Sequence, residues 1–174
     1  MTGQETTVVI CIDGFDPEYL EACHVPNLRE IARKGFLTFG KSMMPSVTNV
    51  NNVSILTANY PETHGISSNY RLVRETGEEI YMESSEYILA ETMFQKANTK
   101  GVDSLLVTSK DKLRTLLSRG ATVTVSSERA PDDVVRVIGE PPPIYSLEVN
   151  GWMIRAGTYL MGQMDAGIVY LTTT

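Results

Sequence analysis

The chain has 174 residues, which suits one domain of ordinary size, and 42% hydrophobic against 21% charged residues are enough for a buried core. Its 15 basic and 21 acidic residues give a net charge of −6, which argues against a general nucleic-acid surface or a polybasic membrane patch. An anionic substrate must therefore be met by local cations or by metal ions.

Targeting and membrane signals are weak in this sequence. The first apolar run, residues 8–12, is shorter than the apolar core of a signal peptide, and residues 2–7 carry no basic group. No run approaches the roughly 18 apolar residues of a membrane span. We therefore expect a soluble, cytoplasmic chain in which Cys11 and Cys23 are buried thiols rather than a disulfide or a metal-binding pair.

The first half of the chain predicts strands and helices in alternation, followed by a hairpin. TTVVICI, residues 6–12, is β-branched and apolar on both faces, as in a strand that is covered on both sides of a parallel sheet. Pro26 at a first helical position opens a helix, and Gly35 is placed to end it. The next elements are a strand over residues 36–39, a helix over 49–58, a loop over 61–65 and a hairpin of strands 70–74 and 79–82.

The second half continues the alternation. A helix is predicted over residues 88–100, where Leu89, Met93 and Ala97 recur at helical spacing. Three consecutive prolines make residues 128–143 irregular, and we expect a surface insertion there. The other elements are strands over residues 102–108, 121–126 and 167–171 and helices over 111–119 and 146–164. The pattern predicts an α/β fold with a mostly parallel sheet flanked by helices.

Asp13 is a candidate metal ligand. It directly follows the first strand, so its carboxylate would lie at the edge of the sheet where open α/β folds bind ligands. A turn-forming or helix-capping aspartate is the alternative. Asp16 raises the further option of a haloacid-dehalogenase-type phosphatase, but that pattern has its second acid two residues after the first, and Asp16 lies three residues on.

PSVTNVNN, residues 45–52, places Thr48 at the start of a helix. N-capping alone would explain a threonine there. A helix N-terminus also presents backbone N–H groups and a positive dipole end to a phosphoryl oxygen, which suits a nucleophile at this position. A threonine hydroxyl needs a base or a metal to become nucleophilic, and Asp13 could help to hold that metal. The residues alone leave both interpretations open.

The remaining polar candidates are two histidines, an asparagine and two lysines. His24 and His64 have no metal-binding spacing and fit hydrogen bonding within loops better than ligation. Asn69 fits either a turn or a donor to a charged oxygen. Lys110 and Lys112 would converge on one carboxylate in an extended segment and diverge in a helix. GxxxxGK, GxGxxG and CxxC patterns do not occur, which argues against a P-loop nucleotidase, a Rossmann dehydrogenase and a zinc ribbon.

Three stretches, taken in order, resemble a known family. They are VVICIDGFDPEYL, MMPSVTNVNNVSILTANYPETHGISSNY and TSKDKLRTLL. Together they resemble the amino-terminal half of the phosphonoacetate hydrolases of the alkaline phosphatase superfamily and, more loosely, the nucleotide pyrophosphatases/phosphodiesterases. The resemblance implies an alkaline-phosphatase-like fold and a small-molecule phosphonate or phosphate ester as substrate, with no nucleic-acid or membrane partner. It allows a homodimer without requiring one.

The resemblance implies roles for five residues. Asp13 matches a zinc ligand, and Thr48 matches the nucleophile, whose oxygen also approaches a zinc. Asn69 matches the amide that binds a phosphoryl or phosphonyl oxygen. Lys110 and Lys112 match the pair that grips the carboxylate of phosphonoacetate. The implied reaction uses two zinc ions and cleaves the P–C bond to acetate and phosphate through a phosphothreonine intermediate.

The resemblance also implies ligands that this chain does not provide. The family's other zinc ligands come from Asp-x-x-x-His, Asp-His and a late His, all downstream of IVYLTTT. We therefore expect residues 1–174 to form the amino-terminal part of a single catalytic domain, inactive alone, with the activity in the complete protein. A phosphodiesterase or phosphatase of the same superfamily is one alternative, and a metal-free binding domain is another.

Overall fold

The structure is a computed structural model that describes residues 5–174. Its strands are β1 (Thr7–Cys11), β2 (Tyr70–Val73), β3 (Glu78–Tyr81), β4 (Ser104–Thr108), β5 (Val123–Ser126) and β6 (Ile168–Thr172). One parallel sheet has the order β1-β6-β4-β5, and β2 and β3 form a separate antiparallel hairpin. The predicted α/β fold with a mostly parallel sheet is confirmed.

Helices cover both faces of the parallel sheet. They are α1 (Pro17–Ala22), α2 (Pro26–Lys34), α3 (Thr48–Thr57), α4 (Pro61–His64), α5 (Met93–Asn98), α6 (Asp111–Leu117), α7 (Asp132–Ile138) and α8 (Glu148–Met161). Side chains alternate along β4, so Leu106 joins one apolar core with α3, α5 and α6, while Leu105 joins a second core with α7 and α8. Within residues 5–174, no helix is long and apolar enough to cross a membrane.

Strand β1 lies at an edge of the sheet, and the prediction that both its faces are buried is wrong. Val8 is 41% exposed and Ile10 is 50% exposed. Strand β4 is buried throughout because β5 and β6 pair with it on either side. A run of apolar residues therefore marked β1 correctly as a strand but did not indicate its position in the sheet.

Three further predictions are wrong in detail. Residues 36–39 form no strand, and Phe36 is 85% exposed. The helix predicted over residues 88–100 is shorter, because the Thr92 hydroxyl accepts from Gln95 N and the Gln95 side chain accepts from Thr92 N, so this capping box starts α5 at Met93. The expected loop after residue 60 contains the short helix α4.

Two more expectations need correction on burial. Residues 128–143 are not irregular throughout, since they contain α7, whose Val134 is buried in the second core. Their status as an insertion stays a prediction. Cys11 is half-buried and Cys23 is exposed, so the two thiols are free but are not both buried.

The register of the sheet brings distant loops to one edge. Cys11 and Thr108 both lie opposite Thr172, and Thr108 also lies opposite Ser126. Because parallel strands end together, the residues that follow them gather at the carboxyl edge. Asp13 after β1, Lys110 after β4 and Thr173 after β6 therefore lie along the same edge of the sheet.

The backbone at Gly120 generates a test of this packing. Gly120 has φ +86°, and a Cβ there would lie 2.7 Å from the backbone nitrogen of Gln95. Gly77 has φ +72° with no heavy atom within 4 Å of its Cβ position. Gly77→Ala should lower the free energy of unfolding by about 1–2 kcal/mol, because alanine is strained in the left-handed region of backbone conformation. Gly120→Ala should cost a further ~1–3 kcal/mol through overpacking, measured by urea unfolding. Equal losses in the two variants would contradict the close approach of α6 to α5.

Candidate active site

Asp13 and Thr48 meet at the carboxyl edge of the sheet. The Thr48 hydroxyl donates to Asp13 Oδ2 at 2.7 Å, although 35 residues separate the two along the chain. The backbone N–H of Asp13 donates to Thr173 Oγ1 at 3.1 Å, which fixes Asp13 to the end of β6. Both side chains are half-buried. A carboxylate and a hydroxyl are thus held together where this fold class binds ligands.

Helix capping does not explain either residue. Val47 is the cap residue of α3 and makes no side-chain cap bond, while the Thr48 hydroxyl turns to Asp13. At the start of α1 the cap is Asp16, whose Oδ1 accepts from Glu18 N at 2.9 Å. The structure therefore assigns capping to Asp16 and leaves Asp13 and Thr48 paired with each other.

A buried hydrogen-bond chain supports Thr48 from behind. Asn52 Nδ2 donates to the Thr48 carbonyl at 3.0 Å, and Tyr170 Oη donates to Asn52 Oδ1 at 2.9 Å. Burial raises the pKa of Tyr170, so the phenol stays a donor. Burial also raises the pKa of Cys11, which keeps this neighbouring thiol protonated and poorly nucleophilic. The hydrogen-bond chain therefore links Thr48 to Tyr170 in the inner strand β6. The protonated Cys11 thiol does not compete with the Thr48 hydroxyl as a nucleophile.

Asn69 is held at the N-terminus of α3. Its Oδ1 accepts from the backbone N–H of Asn49 at 3.2 Å. Asn49 Nδ2 donates to the Met82 carbonyl at 2.8 Å, and Met82 N donates to the Asn69 carbonyl at 2.7 Å. We call Thr48, Asn49 and Asn69 the α3 corner. Because Asn69 Oδ1 faces the helix, its Nδ2 donors point away from Asn49.

The two lysines lie at the start of α6. Lys110 precedes the helix with φ −112° and ψ 138°, and Lys112 is inside it. The Lys110 ammonium lies 5.1 Å from the centre of the Tyr145 ring, and the Lys112 ammonium lies 4.6 Å from that of Tyr81. The segment is half extended and half helical, so neither the convergent nor the divergent arrangement is realised in full. Each ammonium is placed over its own aromatic ring.

Asp111, between the lysines, faces a different set of cations. Its Oδ1 accepts from Arg114 Nε at 2.6 Å and from Ser126 Oγ at 2.9 Å, and its Oδ2 lies 3.1 Å from Arg129 Nε. Burial acts to raise the pKa of Asp111, but hydrogen bonds from Arg114 and Ser126 outweigh it and lower the pKa. This carboxylate is therefore paired with arginines and not with the two lysines; Lys112 instead lies 3.7 Å from Glu83 Oε2.

His64 has a structural role, as the sequence favoured. It is fully buried, its Nδ1 accepts from the backbone N–H of Ile66 at 3.1 Å, and its Nε2 lies 2.9 Å from Ser54 Oγ. The first bond places the ring proton on Nε2. Burial lowers the pKa of His64, so the ring is neutral. His24 is exposed on the surface.

Asp13 Oδ2 and Thr48 Oγ1 fit two positions around one divalent cation. Carboxylate oxygen is a regular zinc ligand, and a hydroxyl oxygen 2.7 Å away can reach the same ion. Catalytic zinc takes three protein ligands in its well-known sites. In the part of the chain from residue 5 to residue 174, no three His, Cys, Asp or Glu side chains gather at one point. The pair fits as part of a metal site and does not complete one.

Several residues of this site were not among the sequence candidates. Asn49 and Asn52 lie in PSVTNVNN, residues 45–52, so the sequence shows both side chains but not the groups to which they hydrogen-bond. Tyr81 lies in the predicted strand 79–82 and Glu83 directly follows it, but nothing in the sequence shows that α6 lies beside them. The places of these residues in the site are set by contacts between segments that lie far apart in the sequence.

The chain belongs to the type I phosphodiesterase/nucleotide pyrophosphatase family, whose model matches residues 7–151. Within this class it is similar to phosphonoacetate hydrolase from Sinorhizobium meliloti 1021. The crystal structure of that enzyme with phosphonoacetate has 34% sequence identity and a TM-score of 0.89, over 99% of this chain and 46% of that one. The complex with phosphonoformate gives 35% identity and the same TM-score. The resemblance to the amino-terminal part of phosphonoacetate hydrolases is confirmed.

More distant relatives share parts of the chain or its fold. Murine ectonucleotide pyrophosphatase/phosphodiesterase 5 has the same fold, at 17% identity and a TM-score of 0.62, over 97% of this chain and 43% of that one. An uncharacterized pyrophosphatase/phosphodiesterase of Schizosaccharomyces pombe is 42% identical over 67 residues, which are 38% of this chain and 14% of that protein. The chain spans less than half the length of each of these relatives.

The neutral, buried His64 predicts a pH dependence of stability. A histidine whose pKa is lower in the folded than in the unfolded protein adds to the free energy of unfolding at pH values above its unfolded pKa, which is about 6.5. This contribution is lost as the pH falls below 6.5. Between pH 7.5 and 5.5 the wild type should therefore lose more unfolding free energy than His64→Gln, with a difference in slope of at most about 1.4 kcal/mol per pH unit. His24→Gln, the same substitution at an exposed position, is the matched control. Parallel slopes for His64→Gln and wild type in urea unfolding would contradict the assignment.

Proposed function

We propose that this chain carries the nucleophile side of a zinc-dependent site that hydrolyses the P–C bond of phosphonoacetate to acetate and phosphate. The observation that carries the proposal is the 2.7 Å contact between Thr48 and Asp13 at the N-terminus of α3. The 34% identity to a phosphonoacetate hydrolase over 99% of this chain supports it. Because the match covers 46% of that enzyme, we assign the activity to a polypeptide that contains this chain together with the remaining metal ligands.

Thr48 is the proposed nucleophile. Asp13 Oδ2 holds its hydroxyl in one orientation, and the bond from Asn52 fixes its backbone. Zinc bound by Asp13 and Thr48 would supply positive charge that favours the ionised hydroxyl and stabilises charge on the phosphorus oxygens. The hydroxyl gives up its proton to solvent, its oxygen attacks phosphorus as the P–C bond breaks, and a phosphothreonine forms at Thr48; water later attacks that phosphorus, releasing phosphate and restoring the hydroxyl.

Asn69 and the start of α3 are the proposed binding groups for the phosphonyl oxygens. The Nδ2 donors of Asn69 point away from the helix because its Oδ1 is fixed by Asn49 N. The positive end of the α3 dipole adds to the attraction of an anionic group beside Thr48. Donors fixed before the reaction stabilise developing charge without reorganising.

The lysines are the proposed binding groups for the leaving part of the substrate. As the bond from Thr48 to phosphorus forms, the P–C bond breaks and its electron pair moves to the methylene carbon. That charge is tolerable only if it spreads into the adjacent carboxyl group as an enolate, which a proton then converts to acetate. Lys110 and Lys112 lie at the start of α6, beyond the carboxyl end of β4, and Asp111 between them is paired with arginines rather than with either lysine. Ammonium groups beside the carboxyl stabilise this charge.

A second candidate is hydrolysis of a phosphodiester or pyrophosphate bond. It is favoured by the family match over residues 7–151 and by the identity to an uncharacterized pyrophosphatase/phosphodiesterase. The nucleophile and Asn69 would serve this reaction unchanged, while the lysines would have no substrate carboxylate to bind. The two candidates therefore differ in what the lysines do.

Thr48→Ala should abolish turnover of phosphonoacetate in the polypeptide that contains this chain and the remaining metal ligands. The hydroxyl is the attacking atom, whereas loss of a helix cap would cost about 1 kcal/mol and spare the chemistry. The midpoint of thermal unfolding should stay within roughly 2–4 °C, the shift for about 1 kcal/mol in a domain of 150–250 residues. Thr48→Ser, which retains a hydroxyl, is the control and should keep measurable activity. Near-normal kcat in Thr48→Ala would exclude Thr48 as nucleophile.

The double variant Lys110→Ala/Lys112→Ala should raise KM for phosphonoacetate by roughly tenfold or more, the scale of one lost hydrogen bond to a charged group. Its KM for a nitrophenyl phosphodiester, which has no carboxylate, should change little. Lys96→Ala/Lys100→Ala removes the same charge from exposed positions around the end of α5 and is the control. An unchanged KM for phosphonoacetate, with efficient phosphodiester hydrolysis, would favour the second candidate.

A further inference from the structure

The segment Tyr81, Met82 and Glu83, which we call the bridge segment, contacts the α3 corner and Lys112 at the same time. The backbone of Met82 accepts from Asn49 Nδ2 and donates to the Asn69 carbonyl. The side chains of Tyr81 and Glu83, two residues apart, both contact Lys112. The Glu83 backbone N–H donates to the Tyr81 carbonyl at 3.0 Å, so the chain turns at Met82 directly after β3, and one short stretch reaches both groups.

The Tyr81 ring is held firmly enough to position a flexible side chain. It is half-buried, and the Tyr70 ring meets it edge-on at 4.9 Å with an interplanar angle of 79°. Lys112, by contrast, is 63% exposed at its side chain and has many rotamers available. A fixed aromatic face below the ammonium restricts those rotamers through a cation–π contact.

The contacts leave the donors of Lys112 free for a ligand. Glu83 Oε2 lies 3.7 Å from Lys112 Nζ, which is an ion pair without a hydrogen bond. The aromatic face occupies one side of the ammonium, and N–H donors directed away from the ring can still bind a ligand. Surface contacts of this kind add little to stability. The contacts of Lys112 with Tyr81 and Glu83 position its ammonium group and leave it without a hydrogen bond to a protein oxygen in either contact.

We infer that Tyr81 is a positioning residue: its ring holds the Lys112 ammonium at a fixed offset from Thr48, Asn49 and Asn69. This inference rests on the proposed function, in which the α3 corner binds the phosphonyl group and Lys112 binds the carboxylate of the same molecule. Met82 is hydrogen-bonded to Asn49 and Asn69, and the adjacent Tyr81 contacts Lys112. The bridge segment therefore contacts both binding groups through one short stretch of backbone. Its role is to set their separation to the length of a short carboxylated phosphonate.

The placement of Lys112 is tested on this chain by NMR. The Hε resonance of Lys112, assigned by its loss in Lys112→Arg, should be shifted upfield by the ring current of Tyr81. Tyr81→Phe should keep that shift, and Tyr81→Ile, which retains strand propensity, should remove it. Preserved amide dispersion in Tyr81→Ile controls for folding, and Tyr81→Phe still tests the contact if the isoleucine variant unfolds. A Lys112 resonance at the position of the exposed Lys34, insensitive to Tyr81, would overturn the inference.

The effect on recognition is tested in the phosphonoacetate-cleaving polypeptide. Tyr81→Ile should raise KM for phosphonoacetate about threefold to fivefold, the scale of a cation–π contact at an exposed site, with kcat nearly unchanged. Tyr81→Phe should restore the wild-type KM, and a nitrophenyl phosphodiester should show no change in either variant. An equal rise in KM for both substrates would overturn the positioning role. If the NMR shift depends on Tyr81 while Lys112→Ala leaves KM for phosphonoacetate unchanged, the carboxylate-binding part of the proposed function fails and the placement of Lys112 stands.

Discussion

The hydrogen bond between Thr48 and Asp13 joins the end of β1 to the start of α3, and the arrangement of the site depends on it. Two independent structural features bring these side chains together. The register of β1 with β6 sets the position of Asp13, and burial of Val50, Val53 and Leu56 against the sheet sets the position of α3. Since both features are parts of the packed core, the contact is built before any ligand arrives. This is the preorganisation that electrostatic catalysis requires.

The charge distribution around this contact fits the proposed binding of an anion by an acidic chain. The net charge is −6, yet Asp111, which lies between the lysines in the sequence, is paired with Arg114 and Arg129, and the acid that contacts Lys112 is Glu83, at 3.7 Å. Local cations, the positive end of α3 and the donors of Asn69 therefore face the same sheet edge without nearby compensation from Asp111. Short-range fields decide binding at such an edge, because charges on remote surfaces are screened within about 10 Å at ordinary ionic strength.

The fold followed from the sequence more completely than the site did. Apolar strands and Gly-terminated helices depend on local preferences, and these gave the α/β alternation and most of the boundaries. Burial of β1 was misjudged because edge position is a property of the whole sheet, and residues 88–92 were misjudged because the capping box at Thr92 overrides apolar spacing. Asp13 and Thr48 were recognisable as candidates, but their mutual contact was not. Tyr81 and Tyr145 were missed because their partners lie on another element.

The division of tasks along the chain follows from this geometry. In the proposed reaction, residues after β1 and at the start of α3 act on phosphorus, and residues after β4 act on the carboxyl group. The hairpin of β2 and β3 lies between them and is bonded to both through Met82 and Tyr81. In the proposed reaction, the end of this hairpin would therefore set the length of substrate that fits, while the bond to phosphorus forms at a single oxygen.

The most direct measurement is to quench the phosphonoacetate-cleaving polypeptide with acid during turnover of ³²P-labelled phosphonoacetate and to map the labelled peptide. The account predicts a phosphoryl group on the peptide that contains Thr48, and on no other. Label on a different residue would contradict it.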